Sequence, residues 1–150
     1  MNKTPSTMDH ALILLGGREH ATKEIHNKLK LRGHNEEDIA NTLQSLIEMN
    51  YLNDQRFAEI FVRNRISKPL GALRIKQELS RKGIPEELAN QAIENIDADW
   101  FELAKELKER KFGVTKYQDF KEKAKQIRYL QYRGFNFDQI NYALEPESDD

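Results

Sequence analysis

A basic residue followed by glycine recurs at almost even intervals along this chain and constrains its fold more than any other feature. The pairs are Arg32-Gly33, Lys82-Gly83 and Arg133-Gly134, whose glycines are 50 and 51 positions apart. Four positions before each glycine stands a leucine, and apolar residues stand six and ten positions after it. Even spacing with shared neighbours is typical of an internal repeat. We therefore interpret the chain as three diverged copies of one unit.

Each copy reads as helices separated by short turns. The apolar spacing predicts one helix that ends at the glycine and a second helix that follows it at once. Asn35, Pro85 and Asn136 are suitable residues to precede the second helices, and Asn136 has Gln139 three residues later, as in a capping box. A further helix is predicted before each pair, over residues 9 to 18, 54 to 67 and 99 to 111. Each copy is thus a three-helix unit.

Composition supports an all-α fold. Gly and Pro together number only eleven residues, and residues that favour helices dominate the rest. The chain is 33% charged, but with 38% hydrophobic residues it is too apolar for disorder. We predict three tandem three-helix repeats, each similar to a helix-turn-helix, stacked into an elongated crescent. The predicted boundaries are a tail at 1–10, repeats at 11–50, 51–97 and 98–144, and an acidic tail at 145–150.

Several classes of function and site are not expected. The chain has no cysteine and no long apolar run, which predicts a protein of a reducing compartment, the cytoplasm, without membrane contact. No phosphate-binding glycine loop, zinc-protease motif, nucleophile elbow or calcium loop is present, so we expect neither an enzyme nor a cofactor. The four histidines, at positions 10, 20, 26 and 34, have no pair spaced four apart on a helix. We therefore expect no metal site.

Opposite charges alternate in blocks along the chain. Residues 55 to 83 carry a net charge of +6 and residues 84 to 106 carry −6; residues 107 to 133 then carry +6 and residues 134 to 150 carry −5. The glycine-terminated helices of the second and third copies are therefore basic, and the helices after them are acidic. This pattern predicts a basic face for nucleic-acid phosphates or an acidic protein surface.

Helical phase selects the side chains of that face. In the third copy, Phe120, Ala124, Ile127 and Leu130 share one face of the helix, whereas Lys121, Lys125, Arg128 and Tyr132 line the other. Arg74 and Lys125 occupy equivalent positions nine before their glycines, and Arg81 and Tyr132 are equivalent two before theirs. Arg56 and Arg63 share a flank of the helix predicted to begin at Asp54. That pair is also compatible with a surface ion-pair ladder through Glu59.

Three sequence blocks resemble a known family. YLNDQRFA at 51–58, GALRIKQELSRKGI at 71–84 and IRYLQYRGF at 127–135 are similar to the RecX family of bacterial recombination regulators, over about residues 11 to 144. The family pattern has Asp where this chain has Asn53, which leaves Asp54 as the expected cap of the next helix. Arg56, Arg74 and Lys82 match motif positions and are candidate binding residues by this resemblance; the alternative for Arg56 is a structural role, in which it orients the turn before its helix. Phe57 also matches, and we assign it to the core.

The resemblance implies a partner and a role. A RecX-like crescent would lie in the helical groove of a RecA filament on DNA and would inhibit ATP hydrolysis, strand exchange and the co-protease activity of the SOS response in DNA repair. Contact with single- or double-stranded DNA would be weak and non-specific, and the protein would be a monomer. The alternatives are a DNA-binding protein of helix-turn-helix type that acts without RecA, and a passive scaffold. Because the helices after the glycines begin with acidic residues, phosphates would repel them, which argues against groove reading.

The repeat register makes a prediction about stability. Leu79 is one of the three equivalent leucines, so Leu79→Ala should lower the free energy of unfolding by about 2 to 5 kcal/mol through lost burial and a cavity. The measurement is thermal or denaturant unfolding of both proteins. An unchanged melting temperature would show that the register is wrong.

Overall fold

The computed structural model describes residues 6 to 145, and within that range the chain forms nine α-helices and no strand. In chain order they are α1 (Thr7–Gly17), α2 (Thr22–Leu31), α3 (Glu36–Glu48), α4 (Asp54–Ile66), α5 (Ala72–Arg81), α6 (Glu86–Asn95), α7 (Trp100–Phe112), α8 (Phe120–Tyr132) and α9 (Phe137–Leu144). They form three successive sets of three, which confirms the predicted all-α repeat organisation. None of these helices is long and apolar enough to cross a membrane.

The three glycine turns have the same backbone structure. Gly33, Gly83 and Gly134 have φ angles of 91°, 84° and 99°, in the left-handed region that favours glycine. The N–H of the residue after each glycine donates to the carbonyl of the leucine that stands four positions before that glycine, at 3.0 to 3.2 Å. This bond satisfies a carbonyl that the end of a helix would otherwise leave unpaired. The predicted glycine caps are therefore confirmed.

Two compact units can be distinguished along the chain. The first contains the described residues up to Ile60 together with Leu79–Ala92, and the second contains Phe61–Glu78 with residues 93 to 145. The core of the first includes Ala11, Ile25, Leu29, Ile39, Leu46 and Leu52. The core of the second includes Ala104, Leu107, Leu130, Phe135, Ile140, Ala143 and Leu144, with Trp100 and Leu103 packed against it. The equivalent leucines Leu29, Leu79 and Leu130 are all fully buried.

In the second unit, a glycine turn lies directly against the start of an earlier helix. The N–H of Gly71 donates to the carbonyl of Arg133 at 2.7 Å, and the N–H of Leu73 donates to the carbonyl of Gly134 at 3.1 Å. A Cβ atom on Gly71 would lie 2.4 Å from the carbonyl carbon and oxygen of Gly134. The turn of the third repeat thus satisfies backbone donors at the start of α5.

The first unit contains the corresponding contact one repeat earlier. There the Gly83 turn lies against Lys23 at the start of α2, and a Cβ on Gly83 would come within 2.4 Å of the Lys23 side chain. The Lys82 ammonium also binds the Glu24 carboxylate at 2.9 Å. In both cases the turn of one repeat packs on the middle helix of the repeat before it.

The third middle helix differs from the other two at its start. α2 and α5 have ten residues, whereas α8 has thirteen and begins three positions earlier relative to its glycine. The extra turn, residues 120 to 122, is mostly exposed, and Phe120 is 85% exposed. The prediction that Phe120 belongs to an apolar face is therefore wrong, because no described element covers this added turn.

The predicted tails require one correction. α1 begins at Thr7, capped by the Ser6 hydroxyl, which accepts a hydrogen bond from the Asp9 N–H at 3.0 Å. Residues 7 to 10 are therefore helical and do not belong to the tail predicted over 1–10. At the other end Glu145 follows α9, and the rest of the predicted acidic tail lies outside the described residues.

The close contact at Gly71 predicts that a single methyl group is harmful there. Gly71→Ala should destabilise the protein by about 1 to 3 kcal/mol, because the new Cβ meets rigid backbone. Gly16→Ala is the matched control: Gly16 lies in α1 with open space around the Cβ position, so stability should stay constant or rise by about 0.5 to 1 kcal/mol. Chemical unfolding of both variants tests this, and equal stability of the two would contradict the described junction.

Candidate interaction surface

The nine predicted binding residues separate into two groups. Arg56, Arg74 and Lys82 hold other parts of their own unit through hydrogen bonds and ion pairs. Arg63, Arg81, Lys121, Lys125 and Arg128 are exposed and have no ion-pair partner among the described residues. The Tyr132 ring is 72% exposed, with the Arg74 guanidinium over one face. The second group and Tyr132 are the more exposed side chains, whereas those of Arg56, Arg74 and Lys82 are about one third exposed and engaged within their own unit.

Arg56 organises the segment before its own helix. Its guanidinium binds Glu19, with Nε to Oε1 at 2.8 Å, and donates to the carbonyls of Asn50 and Tyr51 at 3.0 and 3.2 Å. Phe57 is buried, as expected for a core residue. Arg56 therefore has a structural role: its guanidinium joins Glu19 to the backbone of the turn before α4.

The cap of α4 is Asn53, and the expectation that Asp54 would cap it is wrong. The Asn53 side chain accepts a hydrogen bond from the Arg56 N–H at 3.0 Å. Asp54 instead accepts from the backbone N–H and the hydroxyl of Thr22, at 2.8 and 3.0 Å. The residue before α2, Ala21, has no side-chain acceptor. The Asp54 carboxylate, which is distant in sequence, therefore accepts the hydrogen bond of a backbone N–H that would otherwise be unpaired at the start of α2. Asn and Asp in this segment thus cap two different helices.

Lys82 belongs to a three-residue ion cluster centred on Glu24. The Glu24 carboxylate accepts from Arg18 and Lys82 at 2.9 Å each, and from the Ala21 N–H at 3.0 Å. Burial alone would raise the pKa of Glu24, but these hydrogen bonds outweigh it and lower the pKa to about 2. Glu24 therefore stays ionised at any physiological pH and can pair with the Lys82 ammonium throughout that range.

Arg74 also makes contacts within its own unit, so it is not a freely exposed member of the basic face on which its helical phase placed it. Its guanidinium donates to the Tyr132 carbonyl at 3.2 Å, lies 5.1 Å from the centre of the Tyr132 ring and pairs with Glu78 at 3.6 Å. Its Cβ packs against Gly134. Helical phase missed this because the neighbour that covers the outward face comes from a distant part of the sequence.

The exposed cations of α8 form a continuous row. Lys121, Lys125 and Arg128 are spaced four and three residues apart, so they share one face of the helix, as predicted. They line a cleft of about 500 Å³ beside the segment that connects α7 to α8. This row is the strongest candidate for an interaction surface in the described chain.

Sequence reasoning missed other residues at the same cleft. Lys116 and Tyr117 come from the connecting segment, and Gln126 comes from α8. Lys108 does not line the cleft but holds the connecting segment: it is buried, at 3% exposure, and its ammonium donates to the carbonyls of Gly113 and Thr115 at 2.9 and 3.0 Å. The signal for Gln126 lay in the repeat itself, because the equivalent positions are Ile25 and Ile75. No such signal existed for the connecting segment, which has no counterpart of similar sequence in the other repeats.

Two of the four histidines meet in the fold. The rings of His10 and His34 are within hydrogen-bond distance, and Thr7 Oγ1 lies 2.9 Å from the other nitrogen of His34. His20 is buried; desolvation lowers its pKa, and Lys28 donates to its Nε2. Over residues 6 to 145, no three His, Asp or Glu side chains are placed to hold a metal ion.

Family models match almost the whole described chain. Models described as the first, second and third three-helix domains of RecX match residues 8–46, 53–93 and 97–144. The chain belongs to the RecX family. A regulatory protein RecX from Vibrio parahaemolyticus is 46% identical over 147 residues, which is 98% of this chain and 95% of the relative. One from Halorhodospira halophila is 37% identical over 142 residues, covering 95% and 88%.

Solved structures agree with this assignment. The crystal structure of RecX from Lactobacillus salivarius matches with a TM-score of 0.79 at 27% identity, covering 91% of each chain. The RecX relatives are named as regulatory proteins, and the chain is therefore a member of a family of regulators.

The Glu24 cluster predicts a pH-dependent contribution to stability. Because the folded pKa lies below the ordinary value of 4.5, the stabilisation is complete above that pH and is lost as the pH falls towards 2. Glu24→Gln should therefore lower the free energy of unfolding by about 1 to 3 kcal/mol at neutral pH, and this difference should vanish near pH 2. Unfolding measured across this range, with exposed Glu37→Gln as the control, tests the cluster. A difference that does not change with pH would contradict it.

Proposed function

We propose that this chain binds a RecA filament on DNA, as a monomer in the filament groove, and restrains ATP hydrolysis, strand exchange and the co-protease activity of RecA. In this role it would modulate DNA repair and the SOS response. Membership of a family of regulatory proteins supports action on a protein partner. The observation that carries the proposal is the row of unpaired cations on α8, at Lys121, Lys125 and Arg128.

An unpaired cationic row favours an acidic partner. Surface lysines and arginines normally remain solvated, and three cations on one helix face repel one another in the free protein. Phosphates or carboxylates would relieve that repulsion and release counterions, so binding should weaken steeply as salt increases. Arg63 and Arg81 are further exposed cations that we assign to the same role. Arg56, Arg74 and Lys82 would act indirectly, by holding the repeats that carry these side chains.

The alternative of a helix-turn-helix protein that reads DNA without RecA has less support. The helices that follow the glycine turns start with acidic side chains, at Glu36, Glu37, Asp38, Glu86, Glu87 and Asp138. A recognition helix usually places its first residues against base edges between two phosphate backbones, where acidic groups are repelled. Weak, non-specific DNA contact through the cations of α8 is compatible with the proposal.

Reversing the charges of the α8 row tests this proposal. The triple variant with Lys121, Lys125 and Arg128 each changed to Glu should lose inhibition of RecA-filament ATPase while melting at the same temperature, because these side chains are exposed and unpaired. Its residual binding should depend less on salt than that of the unchanged protein, since fewer counterions are released. The measurement is ATPase inhibition across a salt series.

The matched control carries the same change of charge elsewhere. Arg32, Lys68 and Arg110 are exposed basic residues outside the predicted surface, and their triple change to Glu should leave inhibition largely intact. Equal loss in both variants would show that total charge matters and the α8 row does not. Full inhibition by the α8 variant at every salt concentration would contradict the proposal and indicate that the contact lies in the acidic helices or the first repeat.

A further inference from the structure

The turn between α1 and α2 contains a buried histidine whose two ring nitrogens are both hydrogen-bonded. His20 is 2% exposed; its Nδ1 lies 3.0 Å from the carbonyl oxygen of Arg18, and its Nε2 lies 2.9 Å from the Lys28 ammonium. A carbonyl can only accept and an ammonium can only donate, so Nδ1 must carry the hydrogen and Nε2 must be the unprotonated acceptor. These two bonds therefore select one tautomer of the neutral ring.

A second proton on this ring would meet unfavourable surroundings, because it would have to bind at Nε2, beside the Lys28 ammonium. Desolvation lowers the pKa of His20 below its ordinary value of 6.5, and the charges of Arg18 and Lys28 lower it further. The hydrogen bond to the Arg18 carbonyl and the Glu24 carboxylate act in the opposite direction. Glu24, however, is already paired with Arg18 and Lys82. The charged groups that act on the ring are thus two cations and one carboxylate that is engaged elsewhere.

The two residues before His20 hold other parts of the first unit. Arg18 pairs with Glu24 in α2 at 2.9 Å, and Glu19 pairs with Arg56 in α4 at 2.8 Å. Both ion pairs require the backbone of this turn to stay in place. A local opening of the turn around His20 would therefore weaken contacts at the start of α2 and at the start of α4 together.

The repeat shows that the fold does not require a titratable group at this position. The residue thirteen positions before the glycine is His20 in the first repeat and Leu70 in the second, and the residue five positions before it is Lys28 and Glu78, respectively. The second repeat thus forms its turn without a histidine and lysine pair. Because the pair replaces an aliphatic residue and an acidic one, it gives the first repeat a property that the second lacks.

We propose that His20 is a pH-sensitive switch: the neutral ring holds the turn between α1 and α2, and its protonation separates the ring from Lys28 and loosens the ion pairs of Arg18 and Glu19. An open turn binds the proton at the ordinary pKa of 6.5, whereas the closed turn binds it only at lower pH. Opening therefore becomes easier as the pH falls through 6.5, and the stabilisation by the neutral ring is complete above it. This inference goes beyond the proposed function and requires no partner.

Nitrogen NMR spectra of the whole protein test the state of the ring. At neutral pH the His20 ring should show a protonated Nδ1 and an unprotonated Nε2. It should also titrate at lower pH than His26, whose pKa is raised by its hydrogen bond to Glu36. A hydrogen on Nε2 at neutral pH, or a titration midpoint at or above that of His26, would overturn the proposal.

Hydrogen exchange measures the opening of the turn. The N–H groups of Ala21 and Thr22 donate to Glu24 and Asp54, so their protection reports whether the start of α2 is closed. Their opening constant should rise by up to about tenfold for each pH unit below 6.5, until the closed turn is protonated as well. The Gln139 N–H, which occupies a capped helix start in the other unit, is the control and should show no such rise. An opening constant at Ala21 and Thr22 that does not change with pH would contradict the switch.

Two variants separate the switch from packing. His20→Leu has the residue of the second repeat, so its opening constant should no longer rise below pH 6.5. Lys28→Gln keeps a donor for Nε2 but removes the charge, so His20 should titrate at higher pH, whereas Lys30→Gln, at an exposed position of the same helix, should leave the titration unchanged. Equal pH dependence of His20→Leu and the unchanged protein would overturn the proposal.

The Lys28→Gln variant decides the question even if His20→Leu does not fold, because it leaves the buried ring in place. An unchanged His20 titration in Lys28→Gln would show that the lysine does not oppose protonation and would also overturn the proposal. Since these measurements contain no RecA, their failure would leave the ATPase test of the proposed function unaffected.

Discussion

The packing of a glycine turn on the start of another helix is the contact on which the rest of this structure depends. Two requirements meet at Gly134: a φ of 99° closes the turn after α8, and the missing side chain lets the backbone of α5 approach. Gly71 is needed on the other side for the same reason. The turn carbonyls then accept hydrogen bonds from N–H groups at the start of α5, which a helix cannot satisfy by itself. The Gly134 turn thus ends α8 and also supplies acceptors for the first N–H groups of α5.

This contact explains how far sequence reasoning succeeded. Spacing between glycines, leucines and capping residues is local, so the helices and their glycine caps could be predicted from it. The roles of Arg74 and Lys82 could not, since their partners Tyr132 and Glu24 are 58 residues away in each case. Periodicity assigns a side chain to an outward face, but it cannot tell whether a later repeat covers that face. The exposure of Lys121, Lys125 and Arg128 was easier to predict because no described residue covers them.

The two groups of cations also differ in electrostatic character. Arg56 and Lys82 are neutralised by carboxylates within their own unit, so their charge contributes little to the field at a distance. The three cations of the α8 row have no ion-pair partner among the described residues, so their charge is not neutralised in this way. A net charge of −1 for the whole chain therefore conceals a local surface of opposite sign. Attraction of an acidic partner would depend on the charge of that local surface and not on the net charge of the chain.

The additional turn at the start of α8 has a consequence for the hydrogen bonds at that end of the helix. The start of α5 takes carbonyl acceptors from Arg133 and Gly134, and the start of α2 takes a carboxylate acceptor from Asp54. In the third repeat, residues 120 to 122 form an extra helical turn, and the Glu122 N–H donates to the nearby Asp119 side chain. The third middle helix therefore begins with an acceptor from its own local sequence, whereas the first two depend on residues from a later part of the chain.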